Sequence, residues 1–203
     1  MDKKIYLVRH GKLNLGNEKR YIGITDLFLD PMGIEQAYNL KSFFQHMTID
    51  KVYTSPLKRC LQTSTIICED KSQEFTVVNE FTEINMGLWE NAPIESIKKN
   101  FPKSFENRGE NIVSFIPPQG ESFQQLSDRV LFAFNRIMKN DFKTIIIVAH
   151  AGVNRVLLSY IFGASLQNIF SIRQPYGCIN ELIFHDENAK WQYKQLILGE
   201  EEL

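Results

Sequence analysis

Cysteine is scarce in this chain: Cys60, Cys68 and Cys178 are scattered through 203 residues, with no CxxC pair. An odd, sparse set of this kind is no disulfide framework and reads as reduced, small apolar residues in a cytosolic protein. No apolar run is long enough to span a bilayer, and no N-terminal signal pattern stands before the first strand, so a cytoplasmic location is expected. Charge of one sign is missing as well. With 23 Lys and Arg against 24 Asp and Glu the net charge is −1, and no bulk field favours a nucleic acid or a membrane surface. There is no internal repeat and no low-complexity tract. What remains is 203 residues, 43% hydrophobic, enough for one domain over 1–203 with a small insertion.

The most informative stretch is Ile5-Tyr6-Leu7-Val8-Arg9-His10-Gly11. An apolar, buried-type strand stops on a cation, an imidazole and a glycine. The layout returns far downstream as Thr144-Ile-Ile-Ile-Val-Ala-His150-Ala-Gly152. Open α/β sheets bind their ligands at the C-terminal ends of strands, so two such strands suggest two imidazoles facing one another over a pocket.

Residues 4–10 form the first strand, and 11–30, without a clean period, an ordered loop of the length that is usually functional. Asp30-Pro31 opens a helix with Asp30 as N-cap and Pro31 at the first helical position; Ile34, Ala37, Leu40 and Phe44 are its inward face. Residues 51–55 are a second strand. Ser55-Pro56 caps the next helix, whose inward face is Leu57, Leu61, Ser64 and Ile67, with Arg59 in its first turn. A third strand at 75–78 precedes Glu80 and Glu83. Residues 84–120 hold four of the prolines and little regularity; a short helix at 93–100 and a cap over the sheet edge are expected there. Ser122-Phe-Gln-Gln125 fits a capping box. It opens a long helix that buries Phe123, Leu126, Val130, Phe134, Ile137 and Met138. A fourth strand (144–149), a helix from Gly152 to about Phe162 and a hairpin (180–185, 191–197) complete the chain. Alternating strands and helices give an α/β fold in three layers, a mostly parallel central sheet with helices on both faces.

Arg9, His10, Arg59, Glu83 and His150 then fall at one mouth. Arginine forks match phosphate oxygens, and the helix N-termini after Ser55 and His150, at Ala151, add N–H donors for an anion. A metal fits poorly: neither histidine has a second ligand at metal spacing, and adjacent arginines repel a divalent cation. The nucleophile is then His10 or His150, kept neutral by the arginines. A proton donor for the leaving oxygen comes from Glu83 or Glu80, which the pattern alone does not separate.

The sequence resembles the histidine phosphatase superfamily, its phosphoglycerate mutase-like branch, over nearly its whole length. Leu7-Val-Arg-His-Gly11, Tyr53-Thr-Ser-Pro-Leu-Lys-Arg-Cys-Leu-Gln-Thr63, Glu83-Ile-Asn-Met-Gly-Leu-Trp-Glu90, Pro118-Gln-Gly-Glu-Ser122 and Val148-Ala-His-Ala-Gly-Val-Asn-Arg155 are similar to its motifs, in order. The resemblance implies His10 as the phosphorylated residue, Arg9 and Arg59 as phosphate ligands, Glu83 as the proton donor and His150 as the second histidine. The chain departs from the family after Arg-His-Gly: Lys12, Leu13 and Gly16 stand where many members have Glu or Gln, Ser or Thr, and Asn, so Asn14 or Asn17 is expected to supply the missing phosphate donor. The loop Arg20-Tyr-Ile-Gly-Ile-Thr-Asp26 resembles small bacterial phosphatases, α-ribazole-5′-phosphate phosphatases among them. Arg20, Tyr21, Gly23 and Trp89, with Asn85, Met86 and Leu88, are the expected substrate contacts.

Hydrolysis of a small phosphorylated metabolite, without metal or other cofactor, is the reading favoured. A mutase is the alternative, opposed by Glu83-Ile-Asn-Met-Gly87 where the mutases carry Glu-Arg-His-Tyr-Gly, and by a short insertion whose Lys98, Lys99, Lys103 and Arg108 a solvated helix face explains equally well. A phosphate-binding regulatory module without turnover is the third. The partners expected are the metabolite and a second copy of the chain in a homodimer, with no nucleic acid and no membrane.

Overall fold

The computed structural model describes residues 2–16, 18–69 and 74–198. Strand β1 (Lys3–Arg9) buries Ile5 to Val8. Helix α1 (Pro31–Phe44) starts as expected, with Asp30 Oδ1 accepting from Gly33 N at 2.7 Å. Its inward face is Gly33, Ala37, Leu40 and Phe44, and Ile34 is 37% exposed, against the sequence reading. The cause is a backbone-to-backbone contact: a Cβ on Gly33 would lie 2.2 Å from Lys12 O, and one on Gly11 2.2 Å from Gly33 O. This close approach seats Gly33 rather than Ile34 on the inward face, while Ala37, Leu40 and Phe44 stay where their spacing puts them.

Strand β2 (Lys51–Thr54) leads to helix α2 (Lys58–Cys68), which begins later than the Ser55-Pro56 signal suggests. Ser55 N donates to Val148 O at 3.0 Å, so Ser55 still belongs to the ladder. The first N–H of α2, on Lys58, is capped from a distance by Asp26 Oδ1 at 2.7 Å. The helix buries Arg59, Cys60, Thr63, Ser64, Ile67 and Cys68; Leu61 is half-buried and Leu57 is the residue before the helix. Strand β3 is Phe75–Val77.

The segment 84–120 is more regular than its prolines suggest. A 3-10 turn (Gly87–Trp89) is followed by α3 (Ile94–Asn100) and α4 (Pro102–Glu110). Helix α4 was not expected: it buries none of its residues, so no apolar period announces it. Helix α5 (Phe123–Met138) has its capping box, Gln125 N to Ser122 Oγ at 3.1 Å and Ser122 N to Gln125 Oε1 at 2.9 Å. Met138 is half-buried. Strand β4 (Thr144–Ala149) runs into α6 (Ala151–Phe162), which stops at Gly163 with φ 62°. A 3-10 segment (Leu166–Ser171) and the hairpin β5 (Ile179–His185) and β6 (Lys190–Leu196) follow.

The sheet order is β3-β2-β4-β1-β5-β6. The first four strands are parallel and the last two antiparallel. Strand alternation sorts the core into two layers. Ile5, Leu7, Ile145 and Ile147 pack with residues of α5 and α6 on one face, while Tyr6, Val8, Ile146 and Val148 pack with residues of α1 and α2 on the other. Each such fully buried side chain stabilises the fold by ~1.5–3 kcal/mol. This is the three-layer α/β architecture read from the sequence. Among the described residues no helix is long and apolar enough to cross a membrane.

Candidate active site

Sheet register brings the two histidines together. Arg9 pairs with Ala149 across β1 and β4, and Thr54 pairs with Val148 across β2 and β4. One step further, His10 N donates to Ala149 O at 3.1 Å. His10 and His150 are both even-numbered, on the parity of Val8 and Val148, whose face carries α2. Their ring centroids lie 5.1 Å apart at 64°, and both side chains are buried.

Each imidazole has a partner that can play only one role, and this fixes its tautomer. Gly11 O, a carbonyl, must accept from His10 Nδ1 at 2.7 Å, so the lone pair of the neutral ring is on Nε2. Arg59 Nε must donate to His150 Nδ1 at 3.2 Å, so the ring proton of neutral His150 is on Nε2, where it meets Ser55 Oγ at 2.7 Å. Burial first, then the positive charge of Arg59 and Arg9, pushes His10 well below its ordinary pKa. His150 shifts the same way, by burial first and then by Arg59, His10 and the other arginines. Cys60 Sγ lies 3.5 Å from His150 Nε2, but burial pushes this thiol up to about 12, so it stays protonated at neutral pH and is a poor nucleophile.

Arg59 is 1% exposed and commits three of its five N–H donors. Its η nitrogens donate to Thr25 O and Gly23 O, both at 2.7 Å. Those carbonyls belong to a loop that Glu90 gathers. One carboxylate accepts from Gly23 N (3.2 Å), Ile24 N (2.8 Å), Thr25 N (3.1 Å), the Thr25 hydroxyl and Met86 N (2.9 Å). Just upstream, Tyr21 N donates to Ala92 O and Asn91 N to Tyr21 O, so the long loop is zipped onto the 84–120 segment.

Glu83 sits at the N-terminal end of α6. Its oxygens accept from Gly152 N at 2.9 Å and from its own neighbour Ile84 N at 2.8 Å. Arg129 fixes the backbone here, donating to the carbonyls of Glu80, Thr82 and Glu83, while Glu121 holds its other side in a two-pronged pair at 2.7 and 2.8 Å. Glu80 points elsewhere, 3.7 Å from Arg136. Lys58 N is thus taken by Asp26 and Gly152 N by Glu83, while Ala151, whose N–H is the donor expected after His150, lines the cavity.

Arg9 lies flat on Tyr176 at 3.6 Å and donates to Gln174 O, and its buried Nε has no hydrogen-bond partner among the described residues. A cavity of about 510 Å³ is lined by Arg9, His10, Arg59, Glu83 and Ala151 together. Among the described residues no three of His, Cys, Asp and Glu gather as a metal-binding group.

The expected substrate contacts divide. Arg20, Tyr21 and Met86 line the cavity. Trp89 does not: it is 2% exposed and its ring packs 5.4 Å from both Tyr21 and Phe115, a core residue beneath the site. Gly23 contributes its carbonyl to Arg59, and a Cβ there would lie 2.0 Å from Ile84 O. Leu88 is 65% exposed and outside the cavity lining, and Asn85 likewise does not line it. Of the departures after Gly11, Leu13 is buried and lines the cavity, Lys12 Nζ reaches Met32 Sδ, and Gly16 takes φ 67°. Asn17 lies outside the described residues. The sequence reading gave no role to Glu90, Arg129, Tyr176 or Arg155 and missed the placement of Arg108. Glu90 and Arg155 close two of the quoted motifs, and Tyr176 lies in the turn pattern Pro175-Tyr-Gly177.

The histidine phosphatase superfamily (branch 1) profile matches residues 5–196. The adenosylcobalamin/α-ribazole phosphatase of Escherichia coli is 26% identical over 176 residues, 86% of this chain and 87% of that protein. The uncharacterized phosphatase PhoE of Bacillus subtilis is 30% identical over 193 residues, 94% of this chain and 92% of that protein. Among solved structures, the α-ribazole phosphatase of Shigella flexneri superposes with a TM-score of 0.87 at 25% identity, covering 98% of this chain and 100% of that one. With the profile matched from β1 to the end of β6, the chain belongs to the histidine phosphatase superfamily, branch 1, and is a phosphatase of that superfamily.

Proposed function

We propose that the chain is a metal-independent phosphomonoesterase that acts through a phosphohistidine on His10. Its substrate in this reading is a small phosphorylated metabolite, α-ribazole 5′-phosphate or a sugar phosphate. The observation that carries the mechanism is the state of His10: neutral, its Nδ1–H locked to Gly11 O, its lone pair on Nε2, in the lining of a cavity that also holds Arg9, Arg59 and Glu83.

In the first step Nε2 attacks phosphorus and the P–O bond to the leaving group breaks. Glu83, which enters this step as the neutral acid, gives that oxygen its proton and becomes a carboxylate, and Arg9 and Arg59 take up charge on the equatorial oxygens. His150, with Arg59 holding its Nδ1, presents Nε2–H to the phosphoryl group in exchange for Ser55. In the second step the Glu83 carboxylate takes a proton from water, whose oxygen attacks phosphorus. The N–P bond breaks, inorganic phosphate leaves, and His10 and Glu83 return to their starting states. Residues 84–120 act as the cap that selects the leaving group, since Ile84, Met86, Ile94, Phe105 and Arg108 all line the cavity.

The test is phosphate release from a panel of phosphomonoesters in EDTA, with alkaline quenching to trap phosphohistidine. Turnover with an alkali-stable, acid-labile phosphoprotein is expected. His10→Ala should lose both, with turnover down about a thousandfold or more. Normal turnover in His10→Ala, or an activity stripped by EDTA and restored by a divalent cation, overturns the mechanism; isomerisation without release makes the chain a mutase.

A further inference from the structure

The turn Gln174–Cys178, just before β5, is built against Arg9 and His10. Arg9 N donates to Cys178 O at 3.1 Å, and Gly177 N to His10 O at 3.2 Å. Cys178 N closes the turn on Pro175 O at 3.2 Å, with Gly177 in the left-handed position at φ 67°. A reciprocal amide pair anchors it. Gln174 Nε2 donates to Asn180 Oδ1 and Asn180 Nδ2 to Gln174 Oε1, both at 3.0 Å, and Asn154 Nδ2 donates to Gln174 Oε1 at 3.1 Å. All three amides belong to buried residues, so each bond is costly to leave unmade and the turn has one arrangement. The residue this construction presents to the site is Tyr176. It lines the cavity with Arg9 and His10, and it packs on the small apolar cluster of Leu13, Leu29 and Ala37.

The Arg9 guanidinium stands 3.6 Å over the centre of the Tyr176 ring, a stacked cation–π contact. The same ring lies 5.5 Å from the imidazole of His10. A guanidinium donates only in its own plane, so whatever holds that plane decides where the donors point. Nη1 of Arg9 is taken by Gln174 O. Nε and Nη2 donate to no described residue, and Nε is buried. These two form the side of the guanidinium that meets a phosphate with parallel bonds. Gln174 O holds one point of the group and leaves it free to swing about that bond; the ring beneath it removes the freedom. Arg59, by contrast, is held in its plane by three acceptors and needs no face. We infer that Tyr176 is a positioning residue, whose ring sets the plane in which Arg9 offers Nε and Nη2 to the phosphoryl group. This deepens the phosphomonoesterase reading and rests on it. The ring is the agent, so the phenol hydroxyl is dispensable.

Inorganic phosphate as inhibitor and p-nitrophenyl phosphate as substrate, in EDTA, test it. Tyr176→Phe keeps the ring and should leave Ki and kcat/KM within about twofold of wild type. Tyr176→Leu keeps an apolar side chain against Leu13 and removes the face. Ki for phosphate should then rise ~10-fold, within the range of a cation–π contact partly withdrawn from water, and kcat/KM should fall by at least that factor. Leu29→Val is the packing control, in the same cluster but outside the cavity lining; it should lower Tm and leave Ki unchanged. In an Arg9→Lys background Tyr176→Leu should change Ki by about twofold or less, because an ammonium has no plane to set. Rescue by phenylalanine together with that loss of coupling supports the assignment. Tyr176→Phe as impaired as Tyr176→Leu overturns it in favour of a hydroxyl that touches substrate. An effect of full size that persists in Arg9→Lys, or that Leu29→Val reproduces, overturns it in favour of packing. Each variant is also titrated with phosphate at equilibrium. A wild type that binds phosphate and hydrolyses no ester overturns the phosphomonoesterase, while the binding constants still decide the role of Tyr176.

Discussion

Gly152→Ala separates the chemistry of Glu83 from the stability of the fold. A Cβ on Gly152 would stand 2.2 Å from Glu83 Oε1, where ordinary van der Waals contact begins near 3.4 Å. The carboxylate must therefore retreat by about 1.2 Å, the gap between those two distances. That breaks the 2.9 Å bond from Gly152 N and carries the proton donor away from the leaving oxygen. Misplacement on the order of 1 Å costs ~10²-fold in rate, within the 10²–10⁴ that a positioned acid contributes. The stability terms oppose one another. Alanine in a helix is favoured over glycine by ~0.5–1 kcal/mol, while the lost hydrogen bond to a charged group costs ~1.5–3 kcal/mol.

The net is a loss of about 2.5 kcal/mol at most, or roughly 5–10 °C in Tm for a chain of this length, so the variant stays folded at 25 °C. The assay is kcat on an alkyl phosphate and on p-nitrophenyl phosphate, beside a melting curve. We expect a fall of about a hundredfold or more on the alkyl ester and a smaller fall on the nitrophenyl ester, whose leaving group needs little help from an acid. Equal losses on the two esters would refute Glu83 as proton donor. No loss at all, at unchanged Tm, would refute the contact itself.

Glu90→Gln sets an amide donor against five donors, so the Gly23–Thr25 loop loosens and Arg59 loses its two carbonyl anchors. KM for every phosphomonoester and Ki for inorganic phosphate should rise together, on the order of tenfold; an unchanged Ki would show that Arg59 holds its place without Glu90. The pH dependence of stability follows from His10 and His150. Their folded pKa values lie well below 6.5, so below about pH 6.5 the unfolded chain binds protons that the native site refuses. Stability is therefore full above that pH and lost as pH falls, by up to ~1.4 kcal/mol per pH unit for each histidine. Denaturant titrations from pH 7.5 to 5 should show that slope, and His150→Asn should remove about half of it.

Much of the fold is legible because its signals are local. Pro31 after Asp30, the Ser122–Gln125 box and the two apolar strands ending in His each act within a few residues, and each is found where it was read. The failures share a cause. Ile34 was assigned inward because apolar spacing cannot see that Gly33 touches the backbone at Lys12. The start of α2 was placed at Ser55 because its capping acid, Asp26, is far back in the chain. Helix α4 has no apolar face to betray it, and Trp89, expected against substrate, fills the core under Tyr21.

The site obeys the same division. Its reacting groups sit at strand ends, where a short motif exposes them, but the groups that set their state come from elsewhere. Glu90 holds Thr25, Thr25 O and Gly23 O hold Arg59, and Arg59 holds Nδ1 of His150. Arg129 and Glu121 hold the backbone of Glu83, and Gln174 and Tyr176 hold Arg9. These supports act largely through backbone N–H and carbonyl groups, which every residue has, so spacing and periodicity do not reveal their roles even where, as with Glu90 and Glu121, the residue falls inside a motif. What they enforce is chemical: with each imidazole given one donor or one acceptor and little access to water, neither can become a cation cheaply. The lone pair on His10 Nε2 is therefore available at neutral pH without a base beside it. The reactivity of the motif histidine is a property of the partners around it, and it should fail when they are removed even though His10 itself remains.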